Sequence, residues 1–146
     1  MNAQEVLKEL DRLYEEKKRD ELEMYMKENI EKAHAEENLS VELALLNEII
    51  GYYRNTSKIQ ESLDYCQKLI DLLKAHNLGG TIPYATSMLN VATAYRNADR
   101  HEEALEIYVD VASIYALSLD SKDIRIGALS NNICVTCLEM GKIEEA

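Results

Sequence analysis

Cys134-x-x-Cys137 is the pair of residues best spaced for chemistry. Thiols at that spacing act as a redox couple at a helix N-terminus, where the dipole lowers a thiol pKa, or as half of a zinc site. Here they fall late in an expected helix, and no Cys or His pair lies nearby in sequence to complete a zinc set. They are therefore expected as small apolar core residues. His101-Glu102-Glu103 lacks the second histidine of a zinc-protease helix. His34 and His76 fall at equivalent places near the ends of outer helices, where the terminal dipole favours a ring in a structural or solvated role. With three His, no nucleophile elbow and no phosphate loop, the chain is expected to be non-enzymatic and to hold neither cofactor nor metal.

The elements that position these residues follow from composition. The chain has 146 residues, enough for one sizeable core. Five Gly and one Pro are too few for the hairpins of a sandwich or barrel. A net charge of −11 with no basic stripe disfavours nucleic acid and anionic membranes. The acidic excess is concentrated in the first unit and reads as a solvated surface. No apolar run is long enough to span a bilayer, and the N-terminus lacks the regions of a signal peptide. Three Cys at no framework spacing fit a reducing interior, so a cytoplasmic location is expected.

The chain repeats itself. Tyr53-Arg54-Asn55 returns as Tyr95-Arg96-Asn97, 42 residues on, and the register continues through Leu63 with Leu105. Asn90 returns as Asn132, Glu102-Glu103-Ala104 as Glu144-Glu145-Ala146, and Lys32-Ala33-His34 as Lys74-Ala75-His76. Each unit reads as two helices. Leu45, Leu46, Ile49, Ile50 and Tyr53 share one helical face, and Ile59, Leu63, Cys66, Ile70 and Leu73 share the next. Ser57 with Gln60, and Asp99 with Glu102, read as inner N-caps. Asn77 to Gly80 ends a helix, with glycine free to take the left-handed conformation. Thr81 caps the next, with Pro83 in its first turn, and Asp120 or Ser121 opens the last long helix. A helix pair of this kind cannot bury its own faces, so the pairs stack.

These residues resemble the tetratricopeptide repeats. That motif, roughly 34 residues long, sets a small and an aromatic residue on its first helix, then a small, an aromatic and a small residue on its second. Ala92, Tyr95, Ala104, Tyr108 and Val111 fit it, with Val111 a mild departure. Ile50, Tyr53, Ser62, Cys66 and Leu69 fit more loosely. The 42-residue spacing is similar to the longer-helix subtype of kinesin light chains and bacterial repeat proteins. The resemblance implies an all-α, right-handed solenoid of antiparallel helix pairs. Its expected units are a degenerate N-terminal capping pair over 1–40, repeats over 41–84 and 85–126, and a truncated repeat over 127–146.

The resemblance also implies a concave groove lined by the first helix of each repeat. Its residues here are Ala44, Asn47, Glu48, Gly51, Arg54 and Asn55; then Thr86, Leu89, Asn90, Thr93, Arg96 and Asn97; then Ala128, Asn131, Asn132, Val135, Leu138 and Glu139. Asparagine is frequent there although it costs helix propensity. Its amide both donates and accepts, so a ladder of asparagines pairs with the backbone of an extended peptide, and Arg54 and Arg96 hold a carboxylate. The expected peptide-binding residues are Asn47, Arg54, Asn55, Asn90, Thr93, Arg96, Asn97, Asn131 and Asn132. The lysines of a chaperone-tail carboxylate clamp are missing, since Ala44, Asn47, Thr86 and Leu89 stand in their places.

The leading reading is a scaffold or adaptor that binds a protein or peptide segment. The alternatives are a peptide-sensing part of a larger regulator and a purely structural or oligomerisation segment. Ala146 falls within a repeat, so a longer parent protein is expected, and the half-covered final helix is expected to pair with a second copy.

Overall fold

The computed structural model describes residues 2–145, with side chains over residues 2–142. Among these, the chain forms seven helices and no strand: α1 (Ala3–Glu15), α2 (Arg19–Ala35), α3 (Leu39–Asn55), α4 (Ile59–Ala75), α5 (Ile82–Asn97), α6 (His101–Ser118) and α7 (Ile124–Glu145). Successive helices pack on each other, and α3 also packs directly on α1 and α5. The odd-numbered helices therefore form an inner layer, as in a helical-repeat solenoid. The expected position Ala146 lies outside the described residues, and Glu144-Glu145 outside the described side chains.

The apolar periodicity decides what each helix buries. Val6, Leu10 and Leu13 line the buried face of α1, and Leu22, Met26, Ile30 and Ala33 that of α2. In α3 the face is wide, with Val41, Leu45, Leu46, Ile49, Ile50 and Tyr53 all buried, because this helix is packed from several sides. The small residues of the repeat motif mark where helices touch. Ser62 is buried and donates to the Ile50 carbonyl at 3.2 Å, which joins α4 to α3. In the next unit Ala92 and Ala104 take those two places, both fully buried. Tyr53 and Tyr108 are fully buried as well. Tyr95, Leu63 and Leu105 are only half-buried, and the Tyr95 ring is covered by the Arg100 guanidinium at 4.4 Å.

The turns differ from the capping pattern read in the sequence. Lys17, Glu37, Ser57, Asn77 and Asp99 all adopt left-handed φ between 54° and 61°. The N–H of each following residue then closes on a carbonyl five residues back: Lys18 on Leu13, Asn38 on Ala33, Lys58 on Tyr53, Leu78 on Leu73 and Arg100 on Tyr95. These are Schellman closures made without glycine at the left-handed position. Ser57 and Asp99 therefore end helices. The cap positions of α4 and α6 are Lys58 and Arg100, which make no side-chain cap bond. Thr81 does cap α5, accepting from the Tyr84 N–H at 3.3 Å. α7 opens beyond the expected Asp120 or Ser121, at Asp123, whose carboxylate accepts the Arg125 N–H at 2.9 Å.

The same turns set the register. Ser57 and Asp99 stand 42 residues apart, but Lys17 and Ser57, like Glu37 and Asn77, stand 40 apart. The Lys-Ala-His echo is therefore not structural: Ala33 is fully buried inside α2, whereas Ala75 is exposed at the end of α4. His34 lies within α2 and His76 is the C-cap of α4, so they are not equivalent positions. Cys134 and Cys137 are exposed on α7 rather than in the core, because no described element covers that face.

Candidate functional site

The middle of α3 carries a floor of small residues, Ala44 and Gly51. A Cβ added at Gly51 would meet only the Arg54 guanidinium, at 3.8 Å. Above this floor lies a cavity of about 500 Å³ between α1, α3 and α5. All six α3 groove positions line it, Ala44, Asn47, Glu48, Gly51, Arg54 and Asn55, together with Thr86 and Asn90 of α5. Leu7 and Tyr14 of α1 and Tyr52 complete the wall.

Hydrogen bonds cross this face from helix to helix. Asn47 donates to the Leu43 carbonyl at 2.9 Å and to Ser87 Oγ at 3.1 Å. Asn90 donates to the Asn47 carbonyl at 2.9 Å and to its side-chain oxygen at 3.2 Å. The Asn90 oxygen in turn accepts from Arg54 Nη1 at 2.7 Å. One unit further, Arg96 Nη1 donates to Asn132 Oδ1 at 3.2 Å. Each arginine thus reaches an asparagine 36 residues ahead, on the next inner helix.

Arg54 is half-buried, and desolvation holds its guanidinium below the usual range, with Arg96 adding repulsion. Among the described residues neither arginine pairs with a carboxylate. Counting back from the left-handed turn residue, Tyr14 occupies on α1 the place of Arg54 and Arg96, and Glu48 on α3 the place of Asn90, which returns 42 residues on as Asn132. Burial raises the Glu48 carboxyl, and Asp11 adds to the effect. Burial also raises the Tyr14 phenol, assisted by Glu48. The first inner-helix junction is therefore acidic and aromatic, whereas the later ones are basic and amide-lined.

The expected site residues separate into groups. Asn47, Arg54, Asn55 and Asn90 share the cavity, while Arg96 and Asn132 form the second rung. Asn97 and Asn131 are exposed and outside the cavity lining. Thr93 is engaged with the neighbouring helix, its hydroxyl 2.7 Å from Tyr108 Oη and bonded to the Leu89 carbonyl. Sequence reasoning missed Leu7 and Tyr14, because α1 lost the repeat signature. In the structure the Lys17 turn stands 40 residues before Ser57, which aligns Leu7 with Asn47 and Tyr14 with Arg54.

Residues 85–120, spanning α5 and α6, match the family model described as tetratricopeptide repeat. The match reaches the repeat itself and not the kinesin-light-chain subtype. No curated protein matches the chain. Repeats of this family build protein-interaction modules that are typically non-enzymatic. No described helix is long and apolar enough to cross a membrane.

Proposed function

We propose that this tetratricopeptide-repeat chain is a non-enzymatic scaffold whose inner-helix groove binds a peptide segment bearing a carboxylate. The observation that carries this reading is Arg54, a half-buried guanidinium whose side-chain partner across the groove is a neutral amide. A guanidinium has five donors in a planar fork, and a carboxylate satisfies two of them at once. An incoming carboxylate exchanges the Arg54–Asn90 bond for a charge-assisted pair. Asn90 Oδ1 is then released to accept a peptide N–H. Arg96 and Asn132 repeat the arrangement, which suits an extended ligand. The net charge of −11 supports a protein partner over nucleic acid, and three free thiols support a reducing, cytoplasmic setting.

A second reading rests on the same bonds. Asn47 and Asn90 are already engaged within the chain, so the ladder also serves as a staple between inner helices. Fluorescence anisotropy with a library of acidic peptides and their amidated, neutral counterparts separates the two. Binding of acidic members, weakened at least tenfold by Arg54→Gln, is the expected result. Equal binding of neutral peptides, or of acidic ones by the Arg54→Gln, Arg96→Gln protein, leaves only the staple.

A further inference from the structure

The outer helices α2 and α4 do not pack closely on each other. Between their C-terminal halves, over the start of α3, lies a second cavity of about 560 Å³. Its walls are mostly apolar, from Ile30, Leu46, Leu72 and the short Ala35 and Ala75. On its lining stands a buried carboxylate, Glu42, with a relative exposure of 7%. The first turn of α3 places it there, where the helix dipole favours a negative charge. Glu42 Oε2 meets His34 Nδ1 at 2.9 Å, yet the His34 side chain is itself 73% exposed at the cavity edge.

The charges around the cavity do not balance. Glu31 and Asp71 add two more carboxylates to its lining, against one lysine. That lysine, Lys68, stands over the Tyr65 ring at 4.7 Å and forms no ion pair among the described residues. A buried carboxylate at the base of apolar walls fits a cation carried on a hydrocarbon stem. The charged head gains a charge-assisted hydrogen bond, and the methylenes remove apolar wall from water.

We infer that the α2–α4 cavity binds a primary alkylammonium group, with Glu42 as the acceptor of its N–H donors. His34 yields its bond to Glu42 when the ammonium enters, and the exposed ring turns to solvent. The aliphatic stem lies along Leu46 and Leu72. This site is on the opposite layer from the Arg54 groove and stands independently of it.

Titration of the isotope-labelled chain with n-pentylammonium, followed by amide and His side-chain NMR, tests the assignment. Saturable shifts confined to residues around His34, Glu42, Asp71 and His76 are expected, with n-pentanol and pentanoate giving none. Glu42→Gln keeps the size of the side chain and should weaken binding at least tenfold. Ala75→Trp, at an exposed helix end, should block the cavity while leaving the thermal melt in place. Binding of Nα-acetyl-lysine amide as tight as that of pentylammonium identifies a partner's lysine as the source, and weaker binding identifies a free amine. Scattered shifts, equal response to pentanol, or undiminished binding by Glu42→Gln overturns the inference.

Discussion

Arg54 and Asn90 are joined by a 2.7 Å hydrogen bond from Nη1 to Oδ1 that spans α3 and α5. Asn90 also donates back to the Asn47 carbonyl, so one amide ties two inner helices by both its ends. The asparagine that suits a peptide ladder is thus also a structural strut. Asn90→Ala is therefore expected to destabilise the fold, contrary to what a purely solvated groove residue would do. A lost neutral bond is worth roughly 1 kcal/mol and one from a charged donor such as Arg54 somewhat more, so a loss of about 1–3 kcal/mol is expected. Urea denaturation checks it, and an unchanged midpoint would mean the strut carries no load.

Ala104 is fully buried on α6, at the place where Ser62 of the preceding unit touches the Ile50 carbonyl. Ala104→Leu has no room there without moving α5 away. Overpacking of this kind costs ~1–3 kcal/mol. A melting temperature equal to that of the parent chain would show that α5 and α6 do not meet at this residue.

The legible part of this fold is the part that repeats. Tyr53-Arg54-Asn55 and Tyr95-Arg96-Asn97 share one period, so α3 to α6 follow from spacing, whereas the α3 groove positions are what the repeat resemblance implies. The α1–α2 pair broke that period, because its turn residue Lys17 precedes Ser57 by 40 residues. The turns were misread for a chemical reason: Ser, Asp and Asn favour both N-caps and the left-handed conformation, so Ser57 and Asp99 fitted either role. The engagement of Asn90 by Arg54 and the acid-lined gap between α2 and α4 depend on distances between helices, which periodicity does not encode.

Ser57 holds a φ of 60°, a conformation that costs an L-residue roughly 1–2 kcal/mol. Ser57→Gly removes that strain but adds freedom to the unfolded chain worth roughly 0.5–1 kcal/mol. A net gain of a few tenths to about 1 kcal/mol is expected. Ser57→Ile should instead lose stability, because a β-branched side chain resists this region. Chemical denaturation of the pair gives opposite shifts in midpoint if Ser57 is the helix-ending residue, and parallel shifts if it is a cap.

The Tyr53 hydroxyl donates to Glu23 Oε1 at 2.8 Å, linking α3 to α2. That bond holds the Glu23 carboxyl below its ordinary range, against the opposing effect of burial and with help from Lys27. A depressed folded-state value means the contribution is complete above the ordinary glutamate pKa and is lost as pH falls through the folded one. Burial, followed by the Glu23 bond, pushes the Tyr53 phenol up to about 12, so its contribution is complete below its ordinary 10 and fades as pH rises from there toward 12. Glu23→Gln should flatten the acid side of the stability profile as pH falls below the ordinary glutamate value of 4.5. Retention of the parent slope there would remove this pair from the acid response.

Cys66 is fully buried between helices, and burial pushes its thiol up to about 12 against the weak opposing pull of Arg54 and Arg100. Cys134 and Cys137 are exposed on α7. Nucleophilic thiolate is therefore scarce at Cys66, whereas the other two side chains are open to a reagent in solution. With a disulfide-exchange reagent near neutral pH, Cys134 and Cys137 should react promptly and Cys66 only at the rate of unfolding. The buried thiol also sets a sign for alkaline stability. Its raised value makes the contribution complete below its ordinary 9 and progressively lost as pH rises toward 12, since the unfolded chain ionises first. Cys66→Ala should remove that part of the alkaline decline, at the cost of some core packing at every pH. Three thiols reacting at one rate in the native protein would place Cys66 at the surface and contradict the packing of α4 against α3.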